Sequence, residues 1–144
     1  MRSRISLLVG LCAALLAACS ATAPRPDTSN PEQFLGKRAE DRWNALMSAD
    51  WEKAYAYFTP GYRDVNAYEG FRLGMVNRQI NWTAVRSKGV ECESEQKCLV
   101  SLEIDYQLIG GMRGVSEVGS TRNETETWLK LENQWYLLPQ RAVQ

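Results

Sequence analysis

Apolar side chains return every three or four positions through the first half of this chain and every second position through much of the rest. Ala39, Trp43, Leu46 and Met47 share one side of a helix whose polar side is supplied by Lys37, Arg38, Glu40, Asp41 and Arg42. Asp50 is placed to cap a second helix, in which Trp51, Ala54, Tyr55 and Phe58 share a face before Thr59-Pro60-Gly61 stops it. Asn66, with Glu69 three positions on, reads as a capping box that opens a third helix. Tyr68, Phe71 and Met75 pack along that helix, and Gly70 and Gly74 weaken it.

The period then shortens to two. Val100, Leu102, Ile104, Tyr106 and Leu108 alternate with Ser101, Glu103, Asp105 and Gln107, which predicts a strand with one buried and one wet face. Residues 81–92 are its expected hairpin partner, residues 116–132 a long strand, and residues 134–138 a last one after Glu132-Asn133. The glycine-rich run Gly110-Gly111-Met112-Arg113-Gly114 is expected to be a mobile loop, because three glycines are costly in entropy to order. Helices followed by antiparallel strands predict an α+β domain with helices against one sheet face. In the long strand, Thr125, Thr127, Leu129 and Leu131 are expected to face the helices. That parity places Trp128 on the wet side with Glu124, Glu126 and Lys130, and with Glu103 and Asp105 it forms a candidate partner surface. The alternative is a Trp128 covered by neighbouring long side chains.

The N-terminus has a different character. Basic Arg2 and Arg4 precede an apolar run from Ile5 to Leu16, which is shorter than the roughly 20 residues of a membrane span, so an export signal is the better reading. Leu16-Ala17-Ala18-Cys19 resembles the bacterial lipobox. That resemblance implies cleavage before Cys19, thioether lipidation of its sulfur and an acylated new N-terminus. Several acyl chains hold a protein durably where one alone is marginal. Ser20 in place of Asp after the cysteine implies, by resemblance to lipoprotein sorting rules, an outer-membrane protein facing the periplasm. The chain is thus divided into a signal peptide (1–18), Cys19 with a proline-bearing tether to residue 33, and one domain over 34–144.

Composition narrows the chemistry. The chain of 144 residues carries 17 basic and 17 acidic side chains; removal of the signal takes away Arg2 and Arg4 and leaves a slightly acidic domain. Nucleic acid is therefore not an expected partner. There is no histidine, so the commonest general acid or base near neutral pH is missing. Cys92 and Cys98 bracket a polar turn between two strand-like segments. An oxidising periplasm favours a structural disulfide between them over a redox or metal pair, since neither a Cys-x-x-Cys motif nor a four-ligand set is present. Glu91, Glu93 and Glu95 read as a solvated edge, and no metal or cofactor is expected.

The run from Arg38 to Tyr55, Tyr62-Arg63 and the closing Gln134-Trp135-Tyr136-Leu137 together resemble the nuclear transport factor 2-like superfamily, which includes ketosteroid isomerase. The resemblance covers about residues 34 to 139 and implies a cone in which a curved sheet wraps the helices around a cavity. Trp43, Met47, Tyr55, Phe58, Tyr62, Phe71, Leu102, Ile104 and Tyr106 are the expected cavity residues. No position matches the Asp base of the isomerase or its oxyanion hole of Tyr and a protonated Asp. Because such folds host many activities, three functions stay open. They are a non-catalytic binder of a small apolar ligand, an isomerase- or hydrolase-like enzyme, and an envelope accessory that uses the outer sheet face for a protein partner or a homodimer.

Overall fold

The computed structural model describes residues 30–112 and 115–140. The export segment, Cys19 and the larger part of the tether lie outside the described residues, as do Arg113 and Gly114 of the expected loop. The elements run α1 (Pro31–Met47), α2 (Trp51–Ala56), α3 (Pro60–Val65), α4 (Tyr68–Val76), β1 (Ile80–Ser94), β2 (Lys97–Met112), β3 (Val115–Leu131) and β4 (Gln134–Leu138). The α+β expectation holds: the strands form one antiparallel sheet in sequence order.

Helix α1 starts earlier than periodicity suggests, at Pro31, inside the stretch expected to be tether. The cause is local: the Asn30 side chain accepts a hydrogen bond from the Glu32 amide at 3.1 Å, and proline is pre-set for a first helical turn. Asp50 caps α2 as expected, accepting from the Lys53 amide at 3.2 Å. Helix α2 ends sooner than expected, at Ala56 with Tyr57 as its C-cap, so Phe58 lies outside it; Thr59-Pro60 begins α3, because the Thr59 hydroxyl accepts from the Tyr62 amide at 3.3 Å and Pro60 takes the first helical position. Asn66 therefore ends α3 instead of opening α4, whose N-terminal neighbour Ala67 offers no side-chain cap.

The hairpins match the alternation closely. Strand β2 runs on to Met112, so Gly110, Gly111 and Met112 of the expected loop belong to a strand. Cys92 and Cys98 are register partners at the β1–β2 turn and are joined by a disulfide. Glu132 and Asn133 have φ of 48° and 62°, the pair of left-handed residues that a tight two-residue hairpin turn requires.

Strand β4 is an edge of the sheet, yet the chain covers part of it. The Leu137 amide donates to the Tyr57 carbonyl at 2.7 Å and the Thr59 amide donates to the Leu137 carbonyl at 3.1 Å, a parallel bridge from the α2–α3 junction. Such pairing blunts an edge that would otherwise offer free backbone groups to another strand. Across the sheet, α1 lies on β1 closely enough that a Cβ built on Gly36 meets Ser87 Oγ at 2.6 Å and Ser87 Cβ at 3.2 Å. The core between the layers gathers Leu35, Ala39, Trp43 and Leu46 from α1 with Val100, Leu102 and Ile104 from β2 and Trp135 and Leu137 from β4.

Candidate functional site

The register of β2 against β3 decides what faces the helices. Directly opposed residues share a face, and Cys98, Val100, Leu102 and Ile104 pair with Trp128, Glu126, Glu124 and Arg122. With the β2 residues inward, the β3 set must be inward too. Trp128 is accordingly 0% exposed, which corrects its placement on a wet partner surface and inverts the expected parity. Leu131 is the exposed residue instead. The apolar count of the Thr, Thr, Leu, Leu set had favoured the wrong face, because the inward set contains two carboxylates.

Those carboxylates are accommodated by partners. Glu126, 5% exposed, lies beside Arg42, 7% exposed. Arg42 Nη1 and Trp43 Nε1 each donate to Glu126 Oε1 at 2.8 Å, and Trp128 Nε1 donates to Oε2 at 3.0 Å. Burial is the largest influence on the Glu126 carboxyl and pushes its pKa upward, while Arg42 and the two indoles oppose it. All three neighbours are N–H donors, so the cluster fits the ionised carboxylate, since a protonated one would need an acceptor. Burial likewise lowers the Arg42 guanidinium from its ordinary value, with Glu126 acting against the shift. Arg42, expected on the polar side of α1, instead sits in its buried stripe, three residues from Ala39 and four from Leu46.

In front of this cluster opens a cavity of about 260 Å³. Its apolar wall includes Trp43, Leu46, Phe58, Phe71, Met75, Trp82 and Leu137, and Arg42, Arg78, Arg122, Glu124 and Glu126 supply charge. Trp43 and Trp82 meet edge to face with centroids 5.3 Å apart. A smaller hollow of about 130 Å³ adjoins it, sharing Trp82 and Arg122 and adding Ile80, Tyr106 and Leu108.

Of the expected cavity residues, Trp43, Phe58, Tyr62 and Phe71 line the larger space and Tyr106 the smaller. Met47 and Tyr55 line neither hollow and pack against the core; the Tyr55 hydroxyl donates to the Asn66 carbonyl at 2.6 Å, tying α2 to the end of α3. Leu102 and Ile104 are core residues, sealed under the helices and away from the open space. Glu103 and Asp105 do face outward. Arg86 donates to both at 2.8 Å, and the Thr121 hydroxyl donates to Asp105 at 2.7 Å. With Trp128 removed to the core, the proposed partner surface keeps these charges but loses its aromatic anchor.

Periodicity places Arg42, Glu124 and Glu126 on solvated faces and gives no role to Arg78 or Arg122. One signal was present: a buried strand parity containing Glu requires a buried cation, and Arg42 stands in an otherwise apolar stripe. Among the described residues, no cluster of potential metal ligands occurs and no helix is long and apolar enough to cross a membrane.

The sequence matches no protein-family model and no curated protein. Among solved structures, the chain is similar to a SEC-C motif containing protein from Rhodopseudomonas palustris, with 19% identity, a TM-score of 0.54 and coverage of 72% of this chain and 73% of that one. It is also similar to the association domain of CaMKII from C. elegans, with 15% identity, a TM-score of 0.49 and coverage of 73% and 88%. At 19% identity the first of these likenesses concerns the fold alone.

Proposed function

We propose that this domain is a non-catalytic small-molecule binding module of nuclear transport factor 2-like type, carried at the cell envelope on a lipidated Cys19. One observation supports binding over catalysis. The buried carboxylate at the cavity wall, Glu126, already accepts three N–H hydrogen bonds, two on Oε1 and one on Oε2. Three N–H donors stabilise the carboxylate form and hold this group between α1 and β3, which weakens it as a proton acceptor. What remains in front of it is an open, aromatic-walled space of about 260 Å³, a little below the usual range for drug-sized ligands. Charged side chains share this space with the aromatic wall.

The envelope location is supported by the Arg2, Arg4, Ile5–Leu16 and Leu16-Ala17-Ala18-Cys19 sequence. Mass spectrometry of the protein extracted from membranes tests both halves of the proposal. Under denaturing conditions the N-terminal residue should be an acylated Cys19; an unmodified, soluble product excludes the anchor. Under native conditions the folded protein should carry a small-molecule mass that Trp82→Ala diminishes, and release of a chemically altered product from a bound compound rules out the non-catalytic reading.

A further inference from the structure

Resting on that binding reading, we infer that the cavity takes an amphipathic anion, a small molecule with a single acid group and an apolar body. Three arginines and two glutamates line the space, which leaves one cation in surplus. Both glutamates are matched: Glu126 by Arg42 and two indoles, and Glu124 by Arg122, whose Nη2 lies 2.7 Å from Glu124 Oε2. Arg78 makes no ion pair among the described residues, and its guanidinium stands 5.6 Å over the Trp82 ring. Its charge therefore faces the cavity rim with an aromatic surface beneath it.

An anionic group at the rim meets the surplus charge of Arg78. Trp82, Phe71 and Met75 then receive the apolar body. A cationic ligand meets like charge, and a polyanion exceeds the single charge in surplus. The volume suits a compact acid and not a whole phospholipid.

The test uses two eight-carbon probes, octanoate and 1-octanol, which differ in the charged head. The full-chain protein is titrated with each, following tryptophan fluorescence, since Trp43 and Trp82 both line the cavity. Octanoate should bind about tenfold more tightly than 1-octanol, as expected for a charge-assisted hydrogen bond in a partly desolvated site. In the Arg78→Gln variant octanoate affinity should fall until that preference disappears; Arg78 is exposed at the rim, so the fold is preserved. Equal affinity for the two probes in the unaltered protein overturns the anion inference and leaves the binding module standing. A preference that survives Arg78→Gln overturns it as well. If neither probe binds, the binding reading falls with it.

Discussion

At the scale of single residues, Glu126 concentrates most of the chemistry of this fold. Its carboxylate joins α1, through Arg42 and Trp43, to the indole of Trp128 on its own strand. Replacing one partner of a buried ion pair costs more than the pair contributes, because the survivor keeps its charge and loses its match. Glu126→Gln is isosteric but presents an NH2 group toward three N–H donors. It should lower the unfolding free energy by about 3–5 kcal/mol, read from urea denaturation. A double replacement of Arg42 and Glu126 by Met should recover only part of that loss, since both indole N–H groups would still lack an acceptor.

The relation between elements depends on one close approach. Gly36 lies in the middle of α1, where glycine costs about 1 kcal/mol relative to alanine. Its place is explained by Ser87 on β1, which a Cβ would meet at 2.6 Å through Oγ and at 3.2 Å through Cβ. The hydroxyl can rotate away but the Cβ cannot. Gly36→Ala should therefore destabilise by about 1–3 kcal/mol despite its better helix propensity, and adding Ser87→Gly should restore most of the loss in the same thermal melts. Much at this scale was legible in the sequence: the 100-to-108 alternation, the disulfide hairpin and the Asp50 cap all correspond to observed elements. Local capping chemistry is the source of error at α3 and α4, where Thr59-Pro60 reads as a stop and is instead a start. The β3 parity failed for a different reason. Hydropathy weighs each strand alone, whereas the inward face of β3 is dictated by its register with β2, and two glutamates became tolerable there only through partners on other elements. The candidate site shares that illegibility, since Arg42 and Glu126 are 84 residues apart in the chain.

For the molecule as a whole, stability should depend on pH through the outer sheet face as well as the core. The Thr121 hydroxyl, and after it Arg86, hold the Asp105 carboxyl below its usual range. A depressed carboxylate contributes stability that is complete above the ordinary Asp value and is lost as pH falls through the lower folded one. Asp105→Asn should thus be less stable than the unaltered protein at neutral pH. Followed by circular dichroism, the gap between their melting temperatures should close progressively in acid below the ordinary Asp range; a gap that stays constant rules out this origin.

The separation of Arg42 from Glu126 also sets the order in which the chain can reach its final form. Synthesis delivers the N-terminus first, so Arg42 emerges while its counterion is still 84 residues behind. Until then α1 has no means of burying that guanidinium, and contacts this distant in sequence are slow to close. The α2–α3 junction must wait longer still, for Leu137. A partly synthesised chain therefore lacks both the counterion of Arg42 and the bridge at Leu137, and these two contacts close only when nearly all of the described domain has been made.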